Sequence, residues 1–209
     1  MHSRRRGLII GFHECDRKVR DNIVTQKSKN LKPSENLYDW LGNGVYFWEN
    51  NYDRALKYAK DIKNNTQKSN SKIENPSVLG AVIDLGYCMD LLDSSYLELL
   101  KHGYKLLTET NKKHGLEIPK NKPIGIGKEG DLLLRHLDCA VIETVHQFNE
   151  DNENRQGFDS VRGVFFEGDD LYENAGFKNK NHIQIAIRNP NCIKGYFIPR
   201  ELNKKYPKT

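Results

Sequence analysis

The stretch GNGVYFWENNYDRALKYA, residues 42–59, decides how this chain is read. Gly42 and Gly44 lead into Val45, Tyr46, Phe47 and Trp48, a run of the β-branched and aromatic residues that favour strands. Asn50 and Asn51 then offer N-cap chemistry to a helix that carries Ala55, Tyr58, Ala59 and Ile62 on one face. Such a stretch is a core strand, a phosphate loop or the wall of a binding slot. The glycines precede a strand instead of opening a helix, which argues against a phosphate loop. They let the chain turn tightly into a strand over 44–48, with Phe47 facing the core and Tyr46 presented to the other side.

Working outward, LIIGFHE (8–14) reads as a strand and residues 16–30 as a short helix with Val19, Ile23 and Val24 among charges. Beyond the polar excursion NNTQKSNSKIENP (64–76), VLGAVIDLG (78–86) reads as a strand ended by Gly86. Leu97, Leu100, Tyr104 and Leu107 predict a helix over 94–110. A second amphipathic helix is predicted from Asp131, its cap, to Phe148. SVRGVFF (160–166), HIQIAIR (182–188) and CIKGYFIP (192–199) read as strands. Strands open and close the chain with a helical pair inserted at about 87–157, so the class is α+β in a single domain over 1–209. No G-x-G-x-x-G follows a strand. The I-G-I-G-K of 124–128 lacks the spacing of a phosphate loop, and no internal repeat is visible.

At 209 residues, with 29% charged and 37% apolar residues, the chain is long enough to bury one core. No apolar run reaches the roughly 20 residues of a membrane span, and the basic start MHSRRRGLIIGF lacks the cleavage pattern of a signal peptide. Cys15, Cys88, Cys139 and Cys192 form no C-x-x-C pair, which gives neither a zinc ribbon nor a disulfide framework. The reading is a reduced, cytoplasmic protein with no metal. The net charge of +5 is mild, yet Arg4-Arg5-Arg6, the lysines from Lys57 to Lys72 and the tail to Lys208 are basic. That is either solvated surface or a face for an anionic partner such as a nucleic acid.

Four pieces in chain order resemble the ADP-ribosyltransferase fold in its poly(ADP-ribose) polymerase-like, His-Tyr-Glu branch. LIIGFHECD looks like the opening strand that ends in a histidine. GNGVYFWENNYDRALKYA is similar to the G-x-G-[IV]-Y-F strand and the helix ending in a tyrosine. VLGAVIDLGYCMDL looks like the next strand, and FDSVRG with NHIQIAIRNPNCIKGYF resembles the last segments, where the catalytic glutamate sits. Taken singly, His13, Tyr46, Phe47, Tyr58 and Gln184 are ordinary core or surface residues. Their joint order with Gly42, Gly44 and Ser160 carries the likeness.

The resemblance implies a split β-sheet that binds NAD as co-substrate. His13 would hold the adenosine ribose, with the main chain at Glu14 against the nicotinamide amide. Tyr46 and Tyr58 would flank the nicotinamide ring. Gly44, Phe47, Ala55 and Ser160 would complete the cofactor-binding set, with Ala55 standing where the family has a small hydroxyl residue and Arg54 where it often has lysine. Gln184 falls at the glutamate position. An amide holds a ribose hydroxyl but supplies neither full charge nor a base, a loss typically worth roughly 10²–10³ in rate.

Three explanations follow: the acceptor needs no base, a loop acid among Glu167, Asp169, Asp170 and Glu173 supplies the carboxylate, or Gln184 is an inactivating substitution. His182, two residues before Gln184, shares its strand face as an acceptor-orienting group. The implied activity is transfer of a single ADP-ribose to a protein or nucleic acid by a bacterial or phage-related effector or toxin. A neutralising antitoxin or immunity partner, and no membrane, go with that reading. Alternatives are a non-catalytic NAD- or ADP-ribose-binding module, an NAD-dependent RNA-modifying transferase of the same fold, and a plain nucleic-acid-binding protein.

Overall fold

The computed structural model describes residues 7–26, 29–64, 72–123, 131–201 and 203–207. Arg4-Arg5-Arg6, residues 65–71 of the polar excursion, the I-G-I-G-K run and Lys208 lie outside the described residues. In chain order the elements are β1 (Ile9–Asp16), α1 (Arg17–Thr25), β2 (Val45–Glu49), α2 (Tyr52–Asn64), β3 (Pro76–Ile83), β4 (Cys88–Asp90), α3 (Ser94–His114), α4 (His136–Glu150), β5 (Ser160–Phe165), β6 (His182–Ile187) and β7 (Ile193–Phe197). The strands form one seven-stranded mixed sheet in the order β4-β5-β6-β2-β1-β3-β7. Among these strands of the described residues, β4 and β5 pair parallel and the other neighbours antiparallel.

The centre of the sheet is uneven. β1 pairs with β3 along its whole length, from Ile9↔Ile83 to Asp16↔Pro76. Its ladder to β2 consists of Gly11↔Glu49 and Phe12↔Trp48 and then lapses, while β2 continues in register with β6 from Trp48↔Gln184 to Val45↔Ile187. The sheet therefore opens between β1 and β2 beyond Phe12, at the residues where a strand pair would otherwise satisfy both backbones.

Strand alternation divides the apolar residues between two faces. Ile9, Cys15, Val45, Phe47, Leu79, Ala81, Ile83, Ile185 and Ile187 form one core, closed by Ile23 and Val24 of α1. On the other face Met89, Val161, Phe165 and Ala186 pack with Leu41, Tyr46 and with Ile142 and Val145 of α4. Next to that core, Trp48 and Val78 pack against Ala55, Leu56 and Tyr58 of α2. The helices α2 and α4 thus cover the same face on either side of β2 and β6.

The inserted helices belong to this architecture. At Gly103 the two helices approach so closely that a Cβ would lie 2.5 Å from Val145 Cγ2. α4 holds the Gly42–Gly44 turn in place, because Glu143 Oε1 accepts a hydrogen bond from the Asn43 N–H at 2.7 Å and pairs with Arg188.

Several boundaries differ from the sequence expectation. α1 ends at Thr25, and α3 runs on to His114, where Gly115 takes the left-handed conformation with φ 65°. α4 begins at His136 and not at Asp131; Asp131 instead accepts a hydrogen bond from the Gly168 N–H. The strand Cys88–Asp90 is too short to show periodicity and went unpredicted. Asn51 does cap α2, accepting from the Arg54 N–H at 3.0 Å.

Candidate functional site

Where the β1–β2 ladder lapses, the His13 side chain bridges the strands. Its Nδ1 lies 2.8 Å from the Tyr46 carbonyl oxygen, so that nitrogen donates. Alternation puts His13 on the Phe47 side of the sheet and Glu14 on the Trp48 side. On the Trp48 side, under α2, charged and aromatic side chains converge.

Arg54 enters this region from the first turn of α2. It is 7% exposed, its Nη2 donates to Glu167 Oε2 at 2.6 Å, and its guanidinium carbon stands 5.8 Å from the ring centres of both Trp48 and Tyr58. Trp48 and Tyr58 lie 5.2 Å apart, and His182 on β6 lies 6.3 Å from Trp48 and 5.7 Å from Phe165. Trp40 stacks on His182 from the 36–44 loop. Gln184 sits directly opposite Trp48 and Gly163, half-buried and on the same face as His182.

The decisive feature is what these groups leave unpaired. Trp48 Nε1, Arg54 Nε and Nη1, Glu14 Oε2 and His182 Nε2 are all buried without a hydrogen-bond partner. A buried unpaired polar group costs about 1–3 kcal/mol, and native structures keep few of them. Here donors and acceptors gather in one neighbourhood, where ordered water or a polar ligand can pair them. A ligand placed there would accept from the indole and guanidinium and donate to the carboxyl and imidazole.

The electrostatics follow from burial. Desolvation pushes the Glu14 carboxyl up, and the nearby His13 and Arg54 offset it only in part. Burial likewise pushes the Tyr58 phenol up, with Glu14 and Glu167 adding to the effect. His182 is held below its ordinary value by desolvation, and Arg54 acts in the same direction. Its Nδ1 donates to the Lys180 carbonyl at 2.6 Å, which leaves the buried Nε2 as an unprotonated acceptor.

Glu167, Tyr58, Glu14 and Gln184 of the sequence-predicted set are brought together, and His13 stands at the edge through its 3.8 Å approach to Glu14. The others serve the fold. Tyr46 is turned into the core beneath α4, where its hydroxyl donates to the Gly42 carbonyl at 2.7 Å and accepts from the Leu41 N–H at 2.8 Å. Its ring closes the turn before β2 and does not join the cluster. Phe47 is fully buried in the opposite core. Ala55 fills space between α2 and Trp48. Gly44 permits close approach to β6, since a Cβ there would meet the Ile187 carbonyl at 3.0 Å. Ser160 donates to the Leu85 carbonyl at 2.6 Å at the far end of β5.

Of the loop acids, Glu167 alone reaches the cluster, with Lys180 at 3.8 Å and His182 at 3.9 Å. Asp169, Asp170 and Glu173 are exposed. The signals for Trp48 and Arg54 were present in the sequence. Arg54 falls four residues before Tyr58 and eight before Ile62, which places a charge on the buried stripe of α2.

Among the described residues, no three histidine, cysteine or acidic side chains gather as a metal site, and no helix is long and apolar enough to cross a membrane. No family model matches the sequence, and no solved structure matches it. The chain is similar to the uncharacterized protein MJ0359 of Methanocaldococcus jannaschii. The two are 26% identical over 199 residues, spanning 88% of this chain and 83% of that protein.

Proposed function

We propose that this protein is an NAD-dependent mono-ADP-ribosyltransferase, which cleaves nicotinamide from NAD and passes one ADP-ribose to a protein or nucleic-acid acceptor. The observation that carries this reading is the convergence of unpaired buried groups from β1, β2, α2 and β6 beside the opening between β1 and β2. Those are the elements that the resemblance assigns to NAD.

The chemistry of the groups fits such a substrate. The Trp48 and Tyr58 rings, with Glu14 beside them, suit a flat cationic pyridinium. The bare edges of Arg54 are donors for an amide or diphosphate oxygen. Gln184, opposite Trp48 and on the same strand face as His182, is the residue assigned to hold a ribose hydroxyl. Departure of nicotinamide leaves positive charge on the ribose, and the Glu167 carboxylate, paired with Arg54, is the cluster's acid that would offset it in place of the absent glutamate.

Gln184 also favours a second reading, a module that binds NAD or ADP-ribose without turning it over. Incubation with adenylate-labelled NAD and cell lysate, followed by parallel protease and nuclease digestion, separates the two. A transferase labels a macromolecule, and the digestion that releases the label names its class. A binding module leaves NAD intact while retaining it. A protein that neither binds nor cleaves NAD refutes both.

A further inference from the structure

We infer that His182 is the group that takes the acceptor's proton, and that the acceptor is therefore protic, a hydroxyl or N–H in place of a carboxylate or phosphate. This rests on the transferase reading. In the resemblance one glutamate has two duties, holding the ribose and activating the acceptor. Gln184 can perform only the first. His182 lies two residues earlier on the same strand, roughly 6.5–7 Å away along β6, and its side chain projects from the same face.

The hydrogen bonds set its state. Lys180 fixes the proton on Nδ1, and the unpartnered Nε2 lies in the cluster that holds the bare donors of Arg54 and Trp48. Trp40, Trp48 and Phe165 fix the ring plane. The charged groups around it are Arg54 from α2 and Glu167 from the loop after β5, with Arg135 behind Trp40 and Phe165. Arg54 disfavours the imidazolium at rest. Glu167, 3.9 Å from Nδ1, favours it once a proton arrives. The Glu167 carboxylate is already engaged, with Oε2 2.6 Å from Arg54 and Oε1 3.8 Å from Lys180.

In the step, the acceptor oxygen or nitrogen forms a bond to the ribose C1′. The bond from C1′ to the pyridinium nitrogen breaks, and its electron pair stays on nicotinamide. The acceptor proton passes to Nε2, and the imidazolium gives it up once product departure admits water to the otherwise buried ring.

Two small nucleophiles test this without knowledge of the acceptor. Methanol must lose a proton on attack, and azide has none to lose. The wild-type protein should convert NAD to both the methyl and the azide adducts of ADP-ribose. His182→Gln keeps the volume and an acceptor atom but no base. It should retain azide adduct within about threefold and lose methyl adduct by roughly 10²-fold or more. Equal losses of both adducts, or no loss of either, would overturn the assignment. If the wild-type protein forms neither adduct, the His182 assignment falls, and nicotinamide release from NAD in the presence of lysate decides separately whether the transferase reading stands.

Should His182→Gln fail to fold, the pH profile of the wild-type protein decides. The methyl-adduct rate must fall on acidification as His182 protonates, while the azide rate stays level wherever azide remains an anion. Parallel profiles would contradict the role.

Discussion

Two buried arginines in this molecule have the same chemistry and opposite fates. Arg162 on β5 is held from both sides, donating from Nε to Glu49 at 2.5 Å and from Nη1 to both Asp90 oxygens at 3.1 Å. Arg54 on α2 is buried as deeply but has Glu167 on one nitrogen, with Nε and Nη1 bare. A guanidinium that costs several kcal/mol to desolvate is compensated at Arg162 by two carboxylates. At Arg54 the compensation is incomplete, and the unpaired edges lie beside other unpaired groups. The first arrangement serves the sheet. The second holds free energy that a ligand can recover.

The largest expected effect breaks this comparison directly. Arg162→Met removes the guanidinium from Glu49 and Asp90 and should cost about 3–5 kcal/mol in urea unfolding. Arg54→Met should change stability by no more than about 1 kcal/mol, because the penalty of its bare edges is relieved as its ion pair is lost. Equal costs at the two positions would mean that both arginines are structural.

Acid should expose a second contrast. His146 is buried near Arg188, and its pKa is lowered to about 3. A histidine lowered in the folded state binds fewer protons there than when unfolded, so its stability contribution is complete above the unfolded value of about 6.5. It is lost as pH falls toward 3, at up to about 1.4 kcal/mol per pH unit. His182 acts with the same sign. Glu14, raised by burial, acts in the opposite direction between its ordinary and raised values. Unfolding of His146→Leu followed over this range should show a shallower acid limb, and an unchanged limb would exclude His146 as its source.

Smaller effects sharpen the distinction between site and scaffold. If the proposed transferase reading holds, Gln184→Glu would place full charge beside the ribose and should raise nicotinamide release about tenfold or more; a fall would show that the site is built for the amide. Tyr46→Phe should cost about 1–2 kcal/mol by orphaning the Leu41 N–H, with NAD affinity unchanged in a titration.

Much of the fold was legible because it is written in local pattern. The β2–α2 unit, its Asn51 cap and the alternation of His182 and Gln184 all follow from residues within a few positions of each other. What escaped depends on distant partners. Tyr46 reads as a ligand-facing ring until α4, about one hundred residues later, covers it and the Gly42 carbonyl accepts a hydrogen bond from its hydroxyl. Ser160 likewise reads as a site residue until Leu85 claims its hydroxyl. Glu167 was legible only as one acid among several, since its burial depends on Arg54 across the sheet face. The gap between β1 and β2 is a matter of register, which period-two patterning cannot show.

The central claim is most directly tested by nicotinamide release from NAD by the wild-type protein and by folded Arg54→Met, assayed side by side. The account predicts release by the wild-type protein and a loss of roughly 10²–10³-fold in the variant at nearly unchanged stability. Release by Arg54→Met at the wild-type rate would contradict it.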